Sequence, residues 1–156
     1  MTEEKVQLHR GLREVYIDRS KSSFIDGNIG KLLYRGYNID DLAVHSNFEE
    51  TAYLVMYGKL PTQAQLEEFD AKLKAARLIP DEIVDIIKLT RNSHPMDVLR
   101  TAISALSAYD PDTEDNSTEA TLRKGLRLTA QAPTIVATHA RVREGKDPIA
   151  PDANLN

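Results

Sequence analysis

From Asn38 onward, apolar residues recur every three or four positions, the spacing of one face of a helix. Asn38, with Asp41 three residues on, opens a short predicted helix through Ala43. Ser46-Asn47-Phe48-Glu49 has the form of a capping box, in which a hydroxyl and a carboxylate each take an orphan backbone N–H. The helix it starts, over 49–57, stops at Gly58, and Pro61 follows. Thr62-Gln63-Ala64-Gln65 is a second box, leading a helix to about Arg77 with Leu66, Phe69, Leu73 and Ala76 on one face. Pro80 suits the first turn of the next helix, where Ile83, Val84, Ile86, Ile87 and Leu89 are dense.

Two further helices carry the most information. Ser93 or His94 caps one that begins at Pro95 and covers 95–109. Its apolar residues Val98, Leu99, Ala102, Ile103, Ala105 and Leu106 cover more than half the circumference, with small Thr101, Ser104 and Ser107 between them. Such a helix expects neighbours on most sides. An acidic loop, 110–115, reads as solvated. Asn116 with Glu119 three residues on starts the last helix, over 116–144, in which Gly125 permits close backbone approach and Pro133 should kink the axis. Gly145 ends it.

Before Asn38 the pattern is different. Val15-Tyr16-Ile17 and Ser23-Phe24-Ile25 are β-branched and aromatic, Asp26-Gly27-Asn28 is turn chemistry, and 31–35 reads as a return strand. The expected layout is a tail over 1–10, a β-hairpin over 11–37, a helical scaffold over 38–145 and a linker-like end over 146–156. The fold class is mainly α with a short N-terminal β-hairpin.

Composition narrows the function. The 156 residues are 41% hydrophobic and 28% charged, a globular balance. A net charge of −4 gives no basic field for nucleic acid, and aromatics at 6% give no base-stacking platform. No stretch is long and apolar enough for a membrane span, and the acidic start, with no apolar secretory core after it, makes the cytoplasm the expected compartment. Without cysteine there is no disulfide, thiolate metal site or cysteine nucleophile.

The residues that carry chemistry are scattered. His9, His45, His94 and His139 include no pair at metal-ligand spacing. His94 reads as a partly buried structural helix cap, in preference to a substrate contact, and His139 as a packed or interface residue. Glu49/Glu50, Glu67/Glu68 and Asp81/Glu82 are adjacent pairs whose side chains diverge on a helix, so none is a catalytic dyad. Arg123, Lys124, Arg127, Arg141 and Arg143 read as a solvated face, with an anionic ligand as the weaker alternative. Asp26-Gly27-Asn28-Ile29-Gly30 lacks the lysine-serine pair of a phosphate loop, and no Gly-x-Ser-x-Gly occurs.

Four ordered stretches carry a resemblance. Residues 30–43 (GKLLYRGYNIDDLA), 48–61 (FEETAYLVMYGKLP), 94–106 (HPMDVLRTAISAL) and 132–137 (APTIVA) resemble, in order and spacing, the N-terminal part of the large domain of citrate synthases. The resemblance implies a mostly α homodimer that condenses acetyl-CoA with oxaloacetate and water to citrate and CoA, using an aspartate base and two histidines and no metal or redox cofactor. It also implies that 95–109 and 116–144 are dimer-interface helices. Family members are more than twice as long, and their catalytic residues lie later than these motifs. No catalytic, cofactor or metal role therefore passes to any residue here, and the 156-residue chain alone is expected to be inactive. The extra N-terminal domain of NADH-regulated members is not expected, since ten residues precede Gly11. The C-terminal remainder of the enzyme is an expected partner. The rival readings are a 2-methylcitrate synthase using propionyl-CoA and a short non-catalytic paralogue acting through its interface helices.

Overall fold

The computed structural model describes residues 11, 15, 18–152 and 155. Three antiparallel strands, β1 (Ser23–Asp26), β2 (Lys31–Tyr34) and β3 (Tyr37–Asn38), form a small sheet in chain order. Six α-helices follow among the described residues: α1 (Ile39–His45), α2 (Phe48–Tyr57), α3 (Gln63–Ala75), α4 (Asp81–Leu89), α5 (Pro95–Ala105) and α6 (Thr118–Arg143). A 3-10 turn, Leu106–Tyr109, extends α5. The mainly α expectation holds. The hairpin gains a third strand, and it starts at Ser23. Val15 lies in no strand, and Tyr16 and Ile17, like the tail 1–10, lie outside the described residues.

The third strand exists because Arg35 and Gly36 both adopt positive φ, 49° and 92°. Two such residues make the tight turn whose twist matches paired strands, and it sets Tyr34 opposite Tyr37. Glycine takes this conformation freely, but arginine does so at a cost. The offset is visible: the Arg35 Nε and Nη2 donate to the Val55 carbonyl at 3.0 and 2.7 Å. That carbonyl is in the last turn of α2, where carbonyls lack helical partners and a cation meets the negative end of the helix. Arg35 thus ties the sheet to the helices.

Most helix boundaries follow the capping chemistry, with one-residue slips. The first box is built by Asn47 and Glu50 instead of Ser46 and Glu49: Asn47 Oδ1 accepts from the Glu50 N–H at 2.8 Å, and Glu50 Oε2 accepts from the Asn47 N–H at 3.4 Å. Ser46 is not the cap because its own N–H closes α1 on the Leu42 carbonyl. The second box, Thr62 with Gln65, forms as expected. Pro80 occupies the N-cap position of α4 itself, one residue ahead of the first turn. α6 starts one residue later than Asn116 would set it: Ser117 is the cap, accepting from the Ala120 N–H. α6 continues through Pro133. It ends where Gly145, at φ 74°, lets its own N–H reach the Val142 carbonyl while the Lys146 N–H reaches that of Arg141.

At about 1.5 Å per residue, α6 is the longest element by far. It packs against α3, α4 and α5 and divides the core in two. On one side Ile83, Ile87, Val98, Ala102, Leu106 and Ile135 form a cluster between α4, α5 and α6. On the other, Tyr53, Phe69, Leu73 and Ala130 join α2, α3 and α6. The Arg77 and Leu78 carbonyls, past the end of α3, are taken by Thr134 Oγ1 and Gln131 Nε2 of α6. Gly125 does not bring two backbones together: a Cβ there would meet only the tip of Met56 at 3.6 Å, an ordinary contact.

Candidate functional site

His94 is the N-cap of α5. Its Nδ1 accepts from the Met96 N–H at 3.2 Å, and Pro95 takes the first helical position, where a missing N–H costs nothing. The cap forms as expected, but the ring is exposed where partial burial was expected, because Pro95 and Met96 follow it on the open end of α5. His94→Ala is expected to cost about 1 kcal/mol and His94→Asn to keep most of that stability, read from urea midpoints. A larger loss for Asn than for Ala would show that the ring does something other than capping.

His139 is buried at 4% exposure, as a packed residue, and its Nε2 lies 3.1 Å from the Arg91 carbonyl in the α4–α5 connection. The two histidines therefore serve the same connection, one holding its start and one its end. His45 is exposed at the end of α1, and His9 lies outside the described residues. Among the described residues, no three histidine, aspartate or glutamate side chains converge as a metal site.

The basic run and the acidic loop, each read from sequence as solvated, meet. Arg127 spans both aspartates: its Nη2 donates to Asp110 Oδ1 and Asp112 Oδ2, each at 2.6 Å, and its Nε to Asp110 Oδ2 at 3.2 Å. Arg123 forks onto Asp112, at 2.6 Å from Nη2 and 3.1 Å from Nε. The two guanidinium groups hold the Asp112 carboxyl far below the usual carboxylate range. Lys124 donates to the Asp115 carbonyl at 2.6 Å, and Arg141 Nε to that of Asp147. Arg143 is exposed. The fixed cations of α6 thus staple loops, and the anionic-ligand alternative finds Arg123 and Arg127 already occupied. Pairing across a loop has no short-range sequence signal, which is why it goes unread.

Two grooves flank α6. One, of about 510 Å³, has Ile79, Ile103, Leu106 and Leu128 as its floor and Asp110 and Arg127 on its rim. The other, of about 430 Å³, runs along Leu73, Ala130, Pro133 and Ala137, with Ile149 and Pro151 from the segment after α6. Beyond α6, the Leu155 carbonyl accepts from Arg77 Nη1 at 2.6 Å. Exposed apolar side chains include Leu89, Met96 and Val136 on the helices and Ile25 and Ile29 around the sheet.

A long central helix with a core on each side and a small sheet pinned by one arginine define a mainly α fold. The chain belongs to the citrate synthase family: the family model described as "Citrate synthase, C-terminal domain" matches residues 11–156. It is 43% identical over 155 residues to the citrate synthase of Haloferax volcanii, an alignment covering 96% of this chain and 41% of that protein. It is 41% identical over 154 residues to a 2-methylcitrate synthase of Mycobacterium tuberculosis, covering 98% of this chain and 39% of that one. Among solved structures, the citrate synthase of Pyrobaculum aerophilum superimposes with a TM-score of 0.87 at 34% identity, covering 99% of this chain and 42% of that chain. Citrate synthase from Thermoplasma acidophilum, solved as a ternary complex with carboxymethyl coenzyme A and oxaloacetate, gives 0.86 at 25% identity, over 94% of this chain and 39% of that chain. The chain spans about two fifths of the length of these relatives.

Proposed function

We propose that the chain is the N-terminal part of the large domain of a cytoplasmic citrate synthase. The whole enzyme condenses acetyl-CoA with oxaloacetate and water, giving citrate and CoA without a metal or redox cofactor. The observation that carries this reading is similarity to citrate synthases along nearly the whole chain, in sequence and in fold. Placement at the N-terminal side rests on the order of the four motifs between residues 30 and 137, not on the description of the family model. In this role 38–145 is scaffold, and the acid–base groups come from the remaining three fifths.

The same reading makes α5 and α6 subunit-contact helices of a homodimer. In support, α6 presents Ala132, Val136 and Ala140 at helical spacing on one face, with Val136 and Ala140 exposed. Small residues on such a face allow a second helix to pack closely.

A second reading, 2-methylcitrate synthase, is kept open by the 41% identity to the mycobacterial enzyme, too close to 43% to separate the two. Thiol release from acetyl-CoA and from propionyl-CoA, each with oxaloacetate, tests both. The isolated 156-residue chain is expected to release no CoA. The longer gene product that carries it is expected to turn over, with acetyl-CoA preferred. Release by the isolated chain would overturn the scaffold role, and a propionyl-CoA preference would select the second reading.

A further inference from the structure

The connection between α5 and α6 is held by ion pairs and hydrogen bonds, with no apolar packing of its own. Between 111 and 117 every residue but Asp112 is exposed, and Pro111 is its one apolar side chain. No apolar anchor therefore fixes this segment. What holds it is the Asp110 and Asp112 carboxylates on Arg127 and Arg123, the Lys124 ammonium on the Asp115 carbonyl, and the Thr113 hydroxyl on the Ser107 carbonyl at 2.8 Å. Asp110 and Thr113 line the wall of the larger groove, whose floor is Ile79, Ile103, Leu106 and Leu128.

We propose that residues 110–117 are an ionic strap, closed across the side of this groove by the two-arginine, two-aspartate clasp and loosened by ionic strength. Opening the strap frees the end of the 3-10 turn from α6 and widens the groove above its apolar floor. It thereby gives the α5–α6 pair a salt-dependent geometry.

The physical argument lies in where the charges sit. The clasp side chains are 15–52% exposed, so solvent ions reach them. At about 0.1 M salt the Debye length of about 10 Å leaves the clasp in force, while at about 1 M it shrinks to about 3 Å, the contact distance itself. Protons are not the lever near neutrality. The groups facing the clasp are Arg123, Lys124 and Arg127 on α6, Asp110, Asp112 and Asp115 on the strap, Glu119 in the first turn of α6, and Tyr109, which faces Glu82. Asp112, already held low by its arginines, stays ionised from about pH 5 to 8. The strap requires nothing of the enzyme's chemistry, and its test does not read CoA release.

Hydrogen exchange by mass spectrometry, on the longest gene product carrying this sequence, tests the strap between about 0.05 and 1 M KCl. Protection in 110–117, where the Thr113 and Asp115 N–H groups bond the Asp110 and Asp112 carbonyls, is expected to fall about tenfold. Protection in α4 should stay constant, and the exposed connection 58–62 serves as the salt reference. Arg127→Met and Asp112→Asn should each show the high-salt exchange already at low salt and respond little to more. Salt-independent protection of the strap in the unmodified protein, or unmodified protection in Asp112→Asn, overturns the proposal. If Arg127→Met also loses protection in α4, the KCl series and Asp112→Asn decide.

Discussion

Ile135→Ala is expected to remove about 3 kcal/mol of unfolding free energy, while Val136→Ala, one residue further along α6, removes roughly 0.5 kcal/mol or less. Ile135 is fully buried among Ile83, Ile87, Val98, Ala102 and Leu106, so truncation leaves a cavity bounded by three helices. α4, α5 and α6 already meet there, which limits how far the site can collapse. Val136 is 53% exposed and points out of that cluster. Urea titration gives both values, and an unchanged slope keeps the comparison two-state. The melting temperature of the Ile135→Ala variant should fall by roughly 6–12 °C. The pair also separates core from contact: in the proposed dimer, Val136→Ala weakens association without touching the fold, visible as a concentration-dependent shift in sedimentation. Equal stability losses at the two positions would mean that α6 is rotated relative to the arrangement described above.

Helix identity and the buried faces were legible because both rest on local spacing. Leu66, Phe69, Leu73 and Ala76 were placed on one face, and Phe69 and Leu73 are indeed buried. Thr62 with Gln65 is legible because the cap closes a ring within three residues, and of the two candidates before Pro95, Ser93 and His94, the cap is His94. The slips at Ser46 and Asn116 share one cause. In Ser46-Asn47 and in Asn116-Ser117 two good caps are adjacent, and the choice depends on what the preceding element does with the backbone. Ser46 is spent closing α1, and Asp115 Oδ1 takes the Ser117 N–H, turning the chain so that the hydroxyl of Ser117 faces α6. What could not be read is non-local. Nothing near Arg35 announces that it spans 20 residues to the Val55 carbonyl, and nothing near Asp110 announces Arg127, 17 residues on. The sequence resemblance supplied the family, which four ordered stretches carry together and no single local motif does.

Phe69→Ala is expected to be the most damaging truncation on the opposite side of α6, costing about 4 kcal/mol. Phe69 is 2% exposed and meets two tyrosines edge-on: Tyr53 at 5.4 Å between ring centroids and Tyr57 at 6.1 Å. Edge-to-face pairs contribute about 0.5–1.5 kcal/mol each beyond area burial, so Phe69→Leu, which keeps most of the volume but loses the ring, should cost about 1–2 kcal/mol. The comparison with Ile135 then tests the two-core architecture. The clusters share the helix α6 but no residue, so the two losses should add within about 0.5 kcal/mol. Their sum, about 7 kcal/mol, is comparable to the whole stability of a domain this size, and the Ile135→Ala, Phe69→Ala double variant should be largely unfolded at about 25 °C. A double variant no less stable than the Phe69→Ala single variant would mean that truncating one side already releases the other, and that α6 carries one continuous core in place of two.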